Sequence, residues 1–423
     1  MLIMADDLTG AADCATVLGV QGLAVCLCLD VPASTQEGLS YSVNLGTRAC
    51  EEPQAVYEAT KKALLALSLL LEGRKSFNFF DHVRERGGFQ ESSVTPTPLP
   101  SPPLKGEGVN IYFKVDSTWR SDAVATALAG VDTFKAPFVL LCPAFPQEGR
   151  TIINGIAYLH GVPLHETPLK NDPQHPIQSS DVQVMLETQA RALNRDIRIL
   201  KGKQISIANI EDALNTSPQT SLIVVPDVET PADLTYLAEL VASFKEPPLC
   251  MGSAGLLEAS LRGGFQESNV TPTPQPCPPL KGEGVKQVQV ISGSLNPTTI
   301  QQVEMLQAHH PEIKVLDTAS WGTLTDWHER LKEAVAPLLE APTTITLLCG
   351  GETAEAVLAQ AGVSQLKWVN ALSRTCSLWQ AIENDGDSRY WVLKSGNMGE
   401  ADLLLQLVKE LTNAFQIPPA KHL

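Results

Sequence analysis

Short apolar runs alternate with amphipathic runs of helical length along the whole chain, and that alternation admits little besides parallel sheets wound by helices. Strands are expected at residues 2–5, 24–29, 42–45, 111–115, 138–142 and 222–225, then at 248–251, 287–291, 344–348 and 390–393, with a helix near 181–190. At 423 residues the chain exceeds what a single core sustains. The expectation is therefore an α/β protein of two domains, each a mostly parallel sheet wound by helices. The boundary is expected near Glu246-Pro247-Pro248, giving domains 1–246 and 247–423. Ligands of such sheets bind beyond the carboxyl ends of the strands, so chemistry is sought in the turns that follow them.

Residues 86–109 recur almost verbatim at 262–285, with Ser93, Leu99 and Ser101 replaced by Asn269, Gln275 and Cys277. The copies are far apart and dense in Pro and Gly, unlike the contiguous amphipathic units of a solenoid. Each falls between a helix and the next strand. Both read as inserted, surface-exposed passengers, and the alternative is a duplicated Pro-rich docking peptide.

The balance of 31 basic against 47 acidic residues, a net charge of −16, argues against nucleic acid and acidic membrane surfaces as partners. The longest apolar stretch, 63–71, is far shorter than the ~20 residues of a membrane span. With no secretory signal pattern at the start, a cytoplasmic protein is expected. Cys26, Cys28, Cys142, Cys250 and Cys349 lie in apolar strand-like runs and read as small buried hydrophobes of a reducing compartment. No His/Cys cluster has metal-ligand spacing, so no protein-held metal is expected. An acidic chain that handles anions must concentrate its cations, which singles out Arg48, Lys114, Arg120, Arg150 and Lys394.

The first strand runs directly into Asp6-Asp7-Leu8-Thr9-Gly10-Ala11-Ala12-Asp13. Adjacent carboxylates at a strand end suit acid–base or hydroxyl-binding work; the bland alternative is that Asp7 or Thr9 caps the next helix. Arg48, after the strand-end Thr47, offers a two-pronged donor suited to a carboxylate. Lys114 and Asp116 share one face of their strand, and Ser117 and Arg120 follow in the turn; their bland reading is a surface ion pair with a helix cap. In the second half, four strands lead into turns of small residues and then helices, at Gly252-Ser253-Ala254-Gly255, Ser292-Gly293-Ser294, Gly350-Gly351-Glu352-Thr353 and Ser395-Gly396-Asn397-Met398-Gly399. Glycine lets the backbone approach a phosphate while a helix N-terminus presents free N–H groups. Neither a Walker A run nor Gly-x-Gly-x-x-Gly is present. Lys394 either pairs with a phosphate or is the solvated end of a strand, and Asn296-Pro297-Thr298 reads as a helix start.

Taken in order, these segments, together with Pro143-Ala144-Phe145-Pro146, Gly149-Arg150-Thr151 and Gly161-Val162-Pro163-Leu164-His165-Glu166-Thr167, resemble the four-carbon acid sugar kinases. The resemblance implies ATP-dependent phosphorylation of a hydroxyl of a small sugar acid, such as a threonate, an erythronate or a 3-oxo-tetronate, in a cleft between two domains. Mg²⁺ would accompany the ATP, and the resemblance leaves room for a homodimer. It implies substrate contacts at Asp7, Arg48, Lys114, Val115, Asp116, Ser117 and Arg120, and ATP contacts at Ser253, Gly350, Gly351, Glu352, Thr353, Gly396 and Gly399. Asp7 or Asp116 is the expected base. The chain departs from the family pattern at Trp119-Arg120-Ser121-Asp122, where Leu-Arg-Gly-Asn is usual, at Met398, and at Leu372-Ser373-Arg374-Thr375. Asp122 is expected to add negative charge near an anionic substrate. Two rival readings are a sugar-acid aldolase or dehydrogenase without ATP, with Lys114 as a Schiff-base lysine in the aldolase case, and a catalytically weak sugar-acid and nucleotide sensor.

Overall fold

The computed structural model describes residues 1–36, 38–50, 52–70, 111–172, 175–203, 205–216, 219–244, 247–262, 287–321, 327–340, 344–373, 376–382, 389–396 and 398–417. The Pro/Gly-rich copies, apart from the end of the helix at Arg262, lie outside the described residues, as do Arg374 and Thr375. The chain divides into two compact units, one of Met1–Val17 with Val31–Ser268 and one of Leu18–Asp30 with Asn269–Leu423.

In chain order the elements up to the first sheet's last strand are β1 (Leu2–Ala5), α1 (Leu8–Val20), β2 (Val25–Cys28), β3 (Ser40–Asn44), α2 (Pro53–Leu70), β4 (Ile111–Lys114), α3 (Ala123–Phe134), β5 (Val139–Cys142), β6 (Arg150–Ile153), β7 (Ile156–Leu159), β8 (Val162–Pro163), α4 (Val182–Ala192), β9 (Ile197–Gly202), α5 (Ile207–Thr216), β10 (Ser221–Pro226), α6 (Pro231–Ala242), β11 (Leu249–Gly252) and α7 (Ala254–Arg262). The first unit's sheet runs β3-β1-β4-β11-β5-β10-β9, and every neighbouring pair in it is parallel. Its inner strands are continuous apolar runs because helices cover both faces; Ile3, Val139 and Leu141 are wholly buried. Strands β6, β7 and β8 form a separate antiparallel ribbon.

The second unit continues with β12 (Gln287–Ser292), α8 (Pro297–His309), β13 (Lys314–Asp317), α9 (Trp327–Leu339), β14 (Thr344–Cys349), α10 (Gly351–Gln360), β15 (Gln365–Ser373), β16 (Cys376–Ala381), β17 (Tyr390–Lys394) and α11 (Leu403–Ala414). Its strands run β13-β12-β14-β17-β16-β15-β2. The first four are parallel, and the last three are added antiparallel. Its core is built from Val290, Leu347, Leu378 and Val392 of the sheet against Leu404, Leu407 and Leu411 of α11. Helix α8 starts as its sequence demands, with Asn296 as N-cap and Pro297 in the first turn.

The unit boundary differs from the expected one near residue 246. Strand β11 hydrogen-bonds between β4 and β5, so it and α7 belong to the first unit although they follow the Pro-Pro break. Among the described residues no helix is long and apolar enough to cross a membrane.

Gly19 of α1 packs against the indole of Trp368 on β15, and an added Cβ would overlap the ring. Gly19→Val should therefore cost about 1–3 kcal/mol through overpacking. The check is a lowered urea midpoint with an unchanged m-value.

Candidate functional site

In the first sheet β1 lies between β3 and β4, so the chain leaves it on one side and later returns on the other. That reversal opens a crevice at the carboxyl ends of the three strands, which is where Asp6, Asp7, Arg48 and Lys114 to Asp116 stand. Asp7 caps α1: its Oδ1 accepts from Gly10 N at 2.8 Å and its Oδ2 from the Thr9 hydroxyl at 2.6 Å. The capping and functional readings thus meet in one residue, because Asp7 Oδ2 also takes Arg48 Nη1 at 2.7 Å. Arg48 rises from the 3-10 turn Thr47–Ala49 after β3. Its Nη2 donates to both Asp6 oxygens at 3.1 Å and stands 3.7 Å from Asp116 Oδ1.

Asp116 is held from the other side by Arg120, through Nε at 2.9 Å and Nη2 at 3.2 Å, and by the Thr118 hydroxyl at 2.6 Å. Arg120 also reaches Asp172 at 3.7 Å. Lys114 is buried and donates to the Val115 carbonyl at 2.9 Å. A Cβ on Gly10 would stand 2.7 Å from Asp7 Oδ1 and 3.0 Å from Lys114 Nζ, so this turn of α1 needs glycine. Ser117 is half-buried in the turn after β4. Trp119 takes a left-handed backbone with φ 65° in the same turn, a strained conformation for a bulky residue. It lines, with Arg120, Ser121, Asp122 and His175, a cavity of about 250 Å³.

The carboxyls of this cluster titrate apart. Burial works to raise the pKa of Asp7, but Arg48, Lys114 and the bonds from Thr9 and Gly10 outweigh it and hold the group below its ordinary 3.8. Asp116 goes the same way: burial is overcome by Arg120 and Arg48, and the group lies well below the usual range. Asp13 goes the opposite way. Burial pushes it up to about 7, Asp7 and Glu148 add to the rise, and Lys114 and Arg150 only partly offset it. It sits three residues beyond Gly10 on the same face of α1.

The second unit has its own reversal at β12, with β13 on one side and β14 on the other. The strand ends Ser292, Cys349 and Lys394 are in register across β12, β14 and β17. The turns beyond them pack closely: a Cβ on Gly293 would strike the Thr353 hydroxyl, and one on Gly396 would stand 2.5 Å from Ser294 Oγ. Gly350, with φ 103°, opens α10 without a side-chain cap, leaving the first-turn N–H groups to other acceptors. Lys394 is 1% exposed. Its Nζ donates to Thr299 Oγ1 at 3.2 Å and to the Ser395 carbonyl at 2.9 Å. Among the described residues it has no ion-pair partner, so the solvated-strand-end reading does not hold. A buried ammonium beside uncapped helix N–H groups and close-packed glycine turns suits the phosphates of a nucleotide.

Of the residues expected at a nucleotide, Gly350, Gly351, Thr353 and Gly396 come together, while Glu352 points outward with a side chain 61% exposed. Gly399 sits further along the last turn, its carbonyl strapped by Gln302 Nε2 at 3.1 Å. Ser253 lies in the first unit, wholly buried, its hydroxyl donating to the Ala144 carbonyl at 2.6 Å and accepting from Gly255 N at 3.1 Å. The carboxylate of Asp122, expected to add negative charge at the turn, is the N-cap of α3, accepting from Ala125 N at 2.8 Å. Asp6 was read only as one of two adjacent carboxylates, and Thr118, Asp13 and Thr299 were not singled out by sequence. Asp6 and Asp13 stand inside a quoted motif, and their spacing from Asp7 was the available signal.

Residues 1–81 and 102–260 match the family model described as a sugar-binding N-terminal domain, and residues 323–404 match a nucleotide-binding C-terminal domain. The gap in the first match, 82–101, takes in the first two thirds of the first Pro/Gly-rich copy, and the second copy falls between the two matches. The chain is 27% identical over 374 residues to a 3-oxo-tetronate kinase of Brucella melitensis, covering 84% of this chain and 76% of that one. It is 28% identical over 194 residues to a D-threonate kinase of Salmonella typhimurium, covering 46% and 42%. A solved structure from Salmonella typhimurium LT2 superposes with a TM-score of 0.68 at 21% identity, over 97% of this chain and 98% of that one, a likeness of fold.

Asp116→Asn should destabilise the first unit at neutral pH by up to about 3–5 kcal/mol, because Arg120 keeps only Asp172 at 3.7 Å and Arg48 loses one of its three carboxylates. Because the folded pKa of Asp116 is depressed, its contribution is complete above the ordinary 3.8 and is lost as pH falls through the lower folded value. Denaturant titrations from pH 7 to pH 3 should therefore show a shallower acid dependence in the variant than in the wild type.

Proposed function

The chain belongs to the four-carbon acid sugar kinases, and we propose that it uses ATP to phosphorylate a hydroxyl of a small sugar acid bound at the Asp7–Arg48–Asp116 cluster. The observation that carries this reading is the pairing, in one chain, of two strand-end sites with complementary chemistry. One is lined by carboxylates and cations suited to a polyhydroxy acid, the other by glycine turns around the buried Lys394.

Phosphoryl transfer asks a protein for positioning and charge neutralisation. Lys394 Nζ and the first-turn N–H groups of α10 would hold the nucleotide phosphates, and ATP supplies the transferable phosphoryl group. Mg²⁺ would be carried in with those phosphates. Asp7 and Asp116, both expected as the base, are kept ionised with their oxygens engaged, which suits them to orient acceptor hydroxyls. Asp13, half-buried and near neutral pKa, is the carboxyl suited to take the hydroxyl proton. The kinase names of the relatives do not favour the aldolase, dehydrogenase or sensor readings. The reaction is placed in the cytosol, where ATP is supplied.

The test is Mg²⁺-dependent ADP release against a panel of four-carbon sugar acids. Turnover with one acid supports the reading, and no ADP from any acid sinks it. Asp13→Asn should lower kcat/KM by about 10²–10⁴-fold and abolish the rise in kcat/KM with pH through about 7 that the wild type shows. Lys394→Met should weaken ATP binding by about 10- to 100-fold in calorimetry. The same variant should melt no lower than the wild type without nucleotide, because it removes an unpaired buried charge.

A further inference from the structure

The cations of the first unit's cluster differ in how far their charge is met. Arg48 is shared by Asp6, Asp7 and Asp116, and its fork is spent on both oxygens of Asp6 and one of Asp7. Arg120 is taken by Asp116 and Asp172. Arg150, the first residue of β6, stands apart from both. It is 4% exposed, its Nη1 donates to the Glu148 carbonyl at 2.9 Å, and the Glu148 carboxylate lies 3.5 Å away. Its Nε is sealed from solvent and has no hydrogen-bond partner. Burial, the largest influence, pulls its pKa down despite Glu148, Asp116 and Asp13. Of those carboxyls, Asp116 is already engaged by Arg120 and Thr118, and Asp13 is pushed up to about 7 and is only partly charged at neutral pH.

A buried guanidinium with an orphaned N–H is unfavourable unless an anion arrives to complete it, and its planar fork matches a carboxylate. Lys114 Nζ lies at the Gly10 turn of α1, where a Cβ on that glycine would stand 3.0 Å from it, and Asp13, three residues further on, is within electrostatic reach of both Lys114 and Arg150. We propose that Arg150, together with Lys114, is the receptor for the carboxylate of the sugar acid, while Arg48 holds the frame of the site. This rests on the sugar-acid reading above and assigns the acid end of the acceptor.

The experiment is a ligand–residue cycle by calorimetry on the full chain without nucleotide. It titrates D-threonate and its uncharged amide, threonamide, into the wild type, Arg150→Gln and Arg150→Lys. The expected result is a loss of threonate affinity of at least about thirtyfold in Arg150→Gln, with threonamide affinity changed less than about threefold. ATP binding to the same variant should be unchanged. If Arg150→Gln does not fold, Arg150→Lys decides: with a single ammonium in place of a planar fork it should lose threonate affinity and keep threonamide affinity. Threonate affinity within threefold of wild type overturns the proposal, as does equal weakening of acid and amide. In steady-state assays, a fall in kcat at unchanged KM for the acid would also overturn it, because Arg150 would then serve the transferring phosphoryl group. If the wild type binds no four-carbon acid, the reading of the substrate fails, and the titrations are repeated with three-, five- and six-carbon hydroxy acids. Arg150-dependent binding of one of these keeps the receptor, and binding of none overturns it.

Discussion

The first unit is organised around one guanidinium. Arg48 draws in Asp6 and Asp7 from the end of β1 and approaches Asp116 beyond β4, while its own backbone N–H donates to the Asp6 carbonyl at 3.0 Å. Three strand ends are thereby fixed by one side chain that is itself largely buried. Such a network is expensive to desolvate and still more expensive to break, because removing one member strands the others. Its consequence for chemistry is that Asp7 and Asp116 are locked in the ionised form. The groups left with unmet capacity, Asp13 and Arg150, lie at the margin of the network.

The same topological device appears in both units. Each sheet reverses its winding direction beside one strand, β1 in the first and β12 in the second, and each candidate site sits at that reversal. What differs is the residue chemistry placed there. At β1 the turns carry carboxylates, arginines and a lysine, able to read hydroxyls and an acid group. At β12 and its neighbours they carry glycines, Ser294 and Thr299, which bring backbone N–H groups and one buried ammonium close together. A polyhydroxy acid and a polyphosphate make opposite demands, and under the proposed function the two switch points divide them.

The departures from the family pattern find separate structural accounts. Asp122 is consumed as the N-cap of α3, and its pKa, raised by burial to about 6 against the bonds from Ala125 and Val124, keeps it within carboxylate behaviour at neutral pH. Trp119 pays for its place in the turn with a left-handed backbone, and its buried indole closes one wall of the cavity beside Arg120. Met398 is buried, with its carbonyl 3.3 Å from Gln302 Nε2, so the last glycine turn is strapped to α8.

Period and punctuation alone determined the class of the fold and most of its inner strands, because a strand buried on both faces must be a continuous apolar run. Strands β1, β4, β5, β12 and β14 were legible on that ground. Strands β9, β13 and β15 were not: they are half-exposed, carry residues such as Lys201, Lys314 and Lys367, and owe their state to pairing with a distant neighbour. The site was legible wherever its residues are adjacent in sequence, as in Asp6-Asp7 and Lys114 to Arg120. Only the tertiary structure decided which charges neutralise one another, since Arg48 meets Asp116 across 68 positions of chain and leaves Arg150 without a full partner. It likewise decided that Lys394 is buried and that Ser253 belongs to the first unit. Burial and ion pairing depend on distances between strand ends, and those are set by the order of strands in the sheet, which no local pattern encodes.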